Sequence, residues 1–163
     1  METVQHELPP VFDENSRVLI LGSLPSPRSR QIGFYYGHPQ NRFWGVLSAV
    51  LGESIPTDPA GKRQFLLEHH IALWDVIASC EIVGAQDASI RNVTANDLSV
   101  ILRAAPVRTI FTTGKTAAKW YNKLLLPQTG IQAVVLPSPS PANCAVSAEQ
   151  LVAAYRQIAD ALR

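Results

Sequence analysis

Residues 18–25 read Val18-Leu19-Ile20-Leu21-Gly22-Ser23-Leu24-Pro25. Four consecutive apolar side chains leave no polar face, so as a strand the run must be covered on both sides, and it stops at a glycine. A strand buried on both faces belongs to a parallel sheet sandwiched between helices. Similar runs recur at Ile71 to Ile77, at Val107 to Thr112 before Gly114, and at Ile131 to Leu136 before Pro137. Helical patterns separate them: Arg42 to Leu51, Pro59 to His69, Ala95 to Ala104, Thr116 to Leu126 and Ala148 to Leu162. In the last of these, Leu151, Ala154, Tyr155, Ile158 and Leu162 recur at three- and four-residue steps behind Ser147 as N-cap, a stripe suited to packing on a sheet. The alternation predicts an α/β fold, a three-layer α/β/α sandwich on a four-stranded, mostly parallel sheet. Ligands of such sheets bind at the carboxyl ends of the strands.

The chain of 163 residues, 47% hydrophobic and 17% charged, is the size of one domain. We read it as one unit over 1–163, with residues 1–15 a peripheral segment. Cys80 and Cys144 lack the spacing of a zinc knuckle or a four-thiolate cluster, so free thiols, no metal and a cytoplasmic setting are expected. The acidic, non-apolar first fifteen residues argue against a secretory signal, and no run reaches the roughly 18 apolar residues of a membrane span.

A net charge of +1 excludes global basicity as a route to a polyanion, so any such contact must be local. Its place is visible. From Asn15 to Gly52 there is no acid, while Arg17, Arg28, Arg30 and Arg42 are present; from Leu98 to Ala148 there is again none, while Arg103, Arg108, Lys115, Lys119 and Lys123 are. These tracts hold the loops after the first and fourth strands, which predicts a basic rim along one edge of the sheet. The four-residue spacing of Lys115, Lys119 and Lys123 is equally that of a solvated helix face.

The long segment after the first strand, Gly22-Ser23-Leu24-Pro25 through Phe34-Tyr35-Tyr36-Gly37-His38-Pro39-Gln40-Asn41-Arg42-Phe43-Trp44, supplies a glycine turn, hydroxyls, paired aromatics, a carboxamide and arginines. Those parts suit the stacking and edge recognition of an extruded base. The segment resembles the first motif of the uracil-DNA glycosylase superfamily. Within it, Gly-Ser-x-Pro followed by Tyr-Tyr-x-His-Pro-x-Asn-x-Phe-Trp is most similar to the hypoxanthine-DNA glycosylase branch. Leu136-Pro137-Ser138-Pro139-Ser140-Pro141-Ala142-Asn143 stands where that superfamily carries its minor-groove wedge loop.

The resemblance implies a uracil-DNA glycosylase-like fold and a monofunctional, cofactor-free, monomeric DNA glycosylase acting on DNA with a deaminated base. Asn41 matches the catalytic Asn of the hypoxanthine branch, and Tyr36 the aromatic under the flipped base, with Phe34 and Tyr35 as near alternatives. Gly22 and the backbone of Ser23 and Leu24 fall at the base, with Ser138 at the base or a phosphate. Asp75 falls at the base-reading position, or is a structural carboxylate. Arg28, Arg30, Arg42, Lys115, Ser140, Pro141, Ala142 and Asn143 are the expected DNA contacts. Leu24 departs from the water-positioning Asn or Asp of many relatives, Ser138 from their His or Asn, and Ala142 from a large wedge.

Hydrolysis of an N-glycosidic bond builds positive charge on the sugar and negative charge on the base. An Asn amide is a weak base, but it can orient water; as an isolated residue before Arg42 it would be read as a helix cap. Three other readings compete. Uracil offers the same ring N–H beside a carbonyl, which leaves a mismatch-specific uracil or thymine glycosylase as the runner-up. Leu24 is consistent with a binding module that has lost catalysis. Gly114-Lys115-Thr116 opens a helix after a strand, but a phosphate loop needs a glycine where Thr109 stands. His69 and His70, at a helix end, read as cations complementing the dipole.

Overall fold

In the computed structural model, which describes residues 2–163, the chain starts with strand β1 (Glu2–Gln5) and passes through β2 (Val18–Gly22). Helices α1 (Pro27–Ile32), α2 (Phe43–Leu51) and α3 (Pro59–Glu68) follow, then strands β3 (Ile71–Asp75), β4 (Ile77–Ile82) and β5 (Arg91–Ala95). After the short α4 (Ser99–Leu102) come β6 (Thr109–Thr113), α5 (Lys115–Trp120), a wider turn over Tyr121–Leu125, α6 (Leu126–Thr129), β7 (Val134–Leu136) and α7 (Ala148–Ala161).

The four apolar runs assemble as one sheet in the order β3-β2-β6-β7, with every neighbouring pair parallel. All five residues of β2 and of β3 are buried, as the unbroken apolar runs require. Register then places function. Gly22 lies opposite Asp75, Leu21 opposite Thr112, and Thr113 opposite Leu136, so Gly22, Asp75, Thr113 and Leu136 share the carboxyl edge.

Past that edge the structure departs from the sequence reading. The run from Ile71 does not continue as one strand through Ile77: at Val76 the chain leaves the sheet, with the Val76 and Ile77 amides donating to the Gly22 and Ser23 carbonyls (2.8 and 3.0 Å). It then forms β4, the centre of a second, antiparallel sheet ordered β1-β4-β5. Two register shifts between β4 and β5 interrupt the period-two alternation by which a half-buried strand is recognised. The N-terminal residues, expected at the periphery, carry out two pairings. Glu2–Gln5 pairs with Ser79–Ile82, and Val11 forms an antiparallel bridge to Leu73, with Val4 and Val11 buried.

The helices shift in instructive ways. Inside the expected loop, Ser26 accepts from the Ser29 amide, Pro27 opens the turn and Gly33 closes it at φ 85°, which gives α1 by ordinary capping chemistry. The expected helix from Ala95 shrinks to Ser99–Leu102, because Ala95 is still paired to Ile77. Ser147 and Gln150 form a reciprocal capping box on α7, whose Leu151, Tyr155 and Ile158 are buried.

Candidate active site

A cavity of about 640 Å³ opens at the carboxyl edge of the parallel sheet, where ligands of such sheets bind. Its floor is set by Gly22. A Cβ built there would lie 2.5 Å from Asp75 Oδ1, 3.1 Å from the Tyr36 hydroxyl and 3.6 Å from Thr113 Oγ1. Glycine is required because three polar groups from three different elements converge on the space its side chain would fill. Asp75 is only 3% exposed, and its Oδ2 lies 2.8 Å from His6 Nε2, the His6 side chain being 1% exposed.

Tyr36 forms the aromatic wall. Its ring stacks on Phe43 at 3.9 Å between centroids and 9° between planes, and its hydroxyl pairs with Thr113 Oγ1 at 2.8 Å. The residue sits at φ 51°, a left-handed conformation uncommon for a side chain of this size, and these two contacts hold it there. Burial, with the neighbouring Asp75 charge adding to it, pushes the Tyr36 phenol well above its ordinary range, so it stays a neutral hydroxyl.

The other two aromatics of the segment are held differently. Phe34 stacks on Trp44 at 5.9 Å and is absent from the cavity lining; its ring packs under the loop and does not serve as a base platform. Tyr35 reaches the lining but its hydroxyl donates to the Pro9 and Leu8 carbonyls (2.8 and 3.2 Å), tying down the N-terminal segment. Burial drives its phenol far upward as well.

Asn41 lines the cavity two residues before α2, and its Oδ1 accepts from the Phe43 amide at 2.9 Å. It braces the start of α2 through the Phe43 amide, from one residue ahead of the N-cap Arg42, and it also lines the cavity. An amide oxygen accepts two bonds and its nitrogen donates two, so the bond to Phe43 fixes the orientation of the side chain without exhausting it. Ser23, Leu24 and Ser138 also line the cavity.

The opposite wall is residues 137–146. It is braced by its own short turns, the Ser138 hydroxyl accepting from the Ser140 amide and the Ser140 hydroxyl from the Ala142 amide, each at 3.2 Å. Asn143 Nδ2 donates to the Ser138 carbonyl at 3.0 Å. Arg42, expected at a phosphate, instead donates through Nη1 to the Val146 carbonyl (2.6 Å) and through Nη2 to the Asn143 carbonyl (2.9 Å). Its guanidinium is a clamp on this loop. Gly114, at φ 99°, lets the loop approach α5, since a Cβ there would meet Ser138 Cβ at 3.1 Å.

Arg30, Lys115, Ser140, Ala142 and Asn143 reach the rim, whereas Arg28 and Pro141 are exposed beside it. Arg30 also lies 3.9 Å from Glu2. The sequence reading missed three contributors. His6 pairs with Asp75 across the chain, and Thr113 anchors Tyr36. The β4–β5 turn brings Gly84, Ala85 and Asp87 to the cavity, with Thr116 donating to Asp87 at 3.2 Å. Among the described residues no group of three His, Cys, Asp or Glu side chains is arranged to hold a metal ion, and no helix is long and apolar enough to cross a membrane.

Comparison with known proteins gives the family. Residues 9–162 match the model of the uracil DNA glycosylase superfamily. A protein of Methanosarcina acetivorans named hypoxanthine DNA glycosylase is 37% identical over 142 residues, 86% of this chain and 89% of its own length. A Methanosarcina barkeri protein of the same name is 34% identical over 137 residues, 83% of this chain and 85% of its own. Among solved structures, a solution structure from Methanosarcina acetivorans, provisionally described as a uracil DNA glycosylase, superposes with a TM-score of 0.78 at 35% identity, over 97% of this chain and 99% of that one.

Proposed function

The chain belongs to the uracil DNA glycosylase superfamily and is a DNA glycosylase, and we propose that the base it removes is hypoxanthine, by direct hydrolysis. The observation that carries this reading is the acceptor at the cavity floor. Asp75 Oδ1 lies in the space left by Gly22, beside an aromatic wall fixed on Phe43. A carboxylate oxygen is an acceptor only. It fits the ring N1–H that deamination creates in hypoxanthine and opposes the N1 lone pair of adenine. Uracil presents an equivalent N3–H, so the floor alone favours deaminated bases as a class. The purine is favoured by its larger stacking area on Tyr36 and by the names of the relatives just described.

In the reaction the flipped base stacks on Tyr36 and directs its N–H to Asp75. Asn41, held by the Phe43 amide, orients a water on the sugar face opposite the base. The water oxygen bonds to C1′ as the C1′–N9 bond breaks; the bonding pair leaves with the purine, and the water's proton is released. Backbone N–H groups of Ser23 and Leu24 are the donors available to the negative charge that grows on the departing base. Ala142 is a small wedge, which suits a base already in a weak, wobble-type pair that costs less to extrude than a matched one. The protein acts as a monomer on DNA in the cytoplasm in this reading.

The test is a panel of duplexes identical except for hypoxanthine, uracil, xanthine or mismatched thymine, incubated and then cleaved with alkali at abasic sites. Hypoxanthine is expected to be released fastest, with borohydride trapping no enzyme–DNA adduct, because the sugar is attacked by water and not by Lys115. Faster release of uracil moves the assignment to the uracil branch. A trapped adduct lost in Lys115→Ala overturns direct hydrolysis.

A further inference from the structure

Resting on the reading of Asp75 as the base acceptor, we propose that His6, from the N-terminal segment, is a positioning residue that sets the specificity of the cavity floor: it holds one oxygen of Asp75 so that the other is presented to the base as an acceptor.

Asp75 comes from the end of a strand buried along its whole length, and a carboxylate in such a place needs a hydrogen-bond partner to keep one orientation. His6 supplies the partner, its Nε2 2.8 Å from Oδ2. Facing a carboxylate oxygen, Nε2 is the nitrogen that carries the hydrogen. The seat of the imidazole is fixed independently of that bond. The His6 amide donates to the Ala78 carbonyl at 2.7 Å, which extends the β1–β4 pairing by one residue. The ring lies 6.0 Å from the Tyr35 ring and meets Trp74 edge-on at 6.5 Å and 87°. The second sheet thus delivers one N–H to the floor of a cavity built on the first.

The consequence is chemical. With Oδ2 occupied, rotation of the carboxylate is blocked and Oδ1 stays in the space in front of Gly22. A freed carboxylate could turn Oδ1 away from the base edge, so the preference for a lactam N–H over an unprotonated ring nitrogen would weaken. His6 therefore acts through Asp75, without touching the base.

Three full-length variants test this by single-turnover excision of hypoxanthine, alongside affinity for an abasic-site duplex. His6→Leu is expected to slow excision about tenfold or more, the scale of a lost charge-assisted hydrogen bond, with affinity for the product duplex unchanged. His6→Gln, whose amide can donate, recovers most of that rate. Asp75→Asn costs far less in the His6→Leu background than in the wild type. A role in packing alone gives the opposite order, since Leu suits a seat against Tyr35 and Trp74 better than Gln. Wild-type rates in His6→Leu, or Leu outperforming Gln, overturn the proposal.

Should His6→Leu fail to melt cooperatively, the wild-type protein provides the readout. The ring resonances of His6 are expected to shift on titration with free hypoxanthine and not to shift in Asp75→Asn; wild-type resonances that stay still overturn the proposal. A wild-type enzyme inert toward hypoxanthine overturns the functional reading first, and is distinguishable from active wild type with indifferent His6 variants.

Discussion

The two walls of the cavity are made on opposite plans. One consists of strand ends and largely buried side chains, Gly22, Asp75, Thr113 and the half-buried Tyr36, held by contacts from other elements: Phe43 under Tyr36, Thr113 at its hydroxyl, His6 at Asp75. The other is the loop 137–146, exposed at Pro141 and Ala142, whose shape comes from serine turns and from the Arg42 clamp on two carbonyls. Buried groups with fixed partners can discriminate between bases, because any mismatch leaves a desolvated polar atom unpaired. A backbone-braced loop offers shape and amides instead, which serve to hold a duplex without reading it.

If that division of work is right, damage to each wall should have a different signature. The largest effect is expected at Asn41, which lines the cavity from the start of α2. Asn41→Ala should reduce single-turnover excision by roughly 100-fold or more, the scale associated with misplaced reacting groups, while loss of its bond to the Phe43 amide lowers stability by about 1 kcal/mol, read in a thermal melt. A variant that melts early yet excises at the wild-type rate would leave Asn41 as a helix brace only.

Next comes the buried wall. Asp75→Asn exchanges an acceptor-only group for one that also donates, and should cut the rate on hypoxanthine about ten- to a hundredfold while leaving product affinity alone. An equal fall in affinity would mean that Asp75 supports the fold more than it reads the base.

A smaller and different effect is expected at the clamp. Arg42→Met removes two guanidinium bonds to the loop but keeps its apolar stem, and should weaken duplex affinity by about 1–3 kcal/mol with little change in the ratio of hypoxanthine to uracil rates. A changed ratio would show that the loop takes part in choosing the base.

Smallest are the rim charges. Lys115 lines the cavity mouth and Arg28 is exposed beside it, so neutralising either should flatten the dependence of log affinity on log salt by about one phosphate's worth. A slope that neither substitution alters places the phosphate track elsewhere on the surface.

The two walls also differ in how far they could be read from sequence. The parallel sheet and its carboxyl edge follow from unbroken apolar runs ending at glycine, and Gly22, Tyr36 and Asn41 stand in one continuous segment. His6 and Asp75 meet only because β1 pairs with β4, a contact between residues remote in sequence, and the shifts in register along β4 hide the alternation that would have announced the second sheet. Arg42 illustrates another limit. A guanidinium suits a phosphate and a pair of carbonyls equally well, and only the path of the loop decides between them. Phe34, Tyr35 and Tyr36 are alike as a run of aromatics; only in the structure is Tyr36, at a left-handed backbone, stacked on Phe43 with its hydroxyl at Thr113.

The most direct test of the divided site places Asp75→Asn and Arg42→Met side by side, measuring for each the single-turnover rate on hypoxanthine at saturating enzyme and, separately, the Kd for the abasic-site duplex. The division predicts a slowed rate with unchanged Kd for Asp75→Asn, and a raised Kd with a near-normal saturated rate for Arg42→Met. Two variants that each lower rate and affinity together would contradict it.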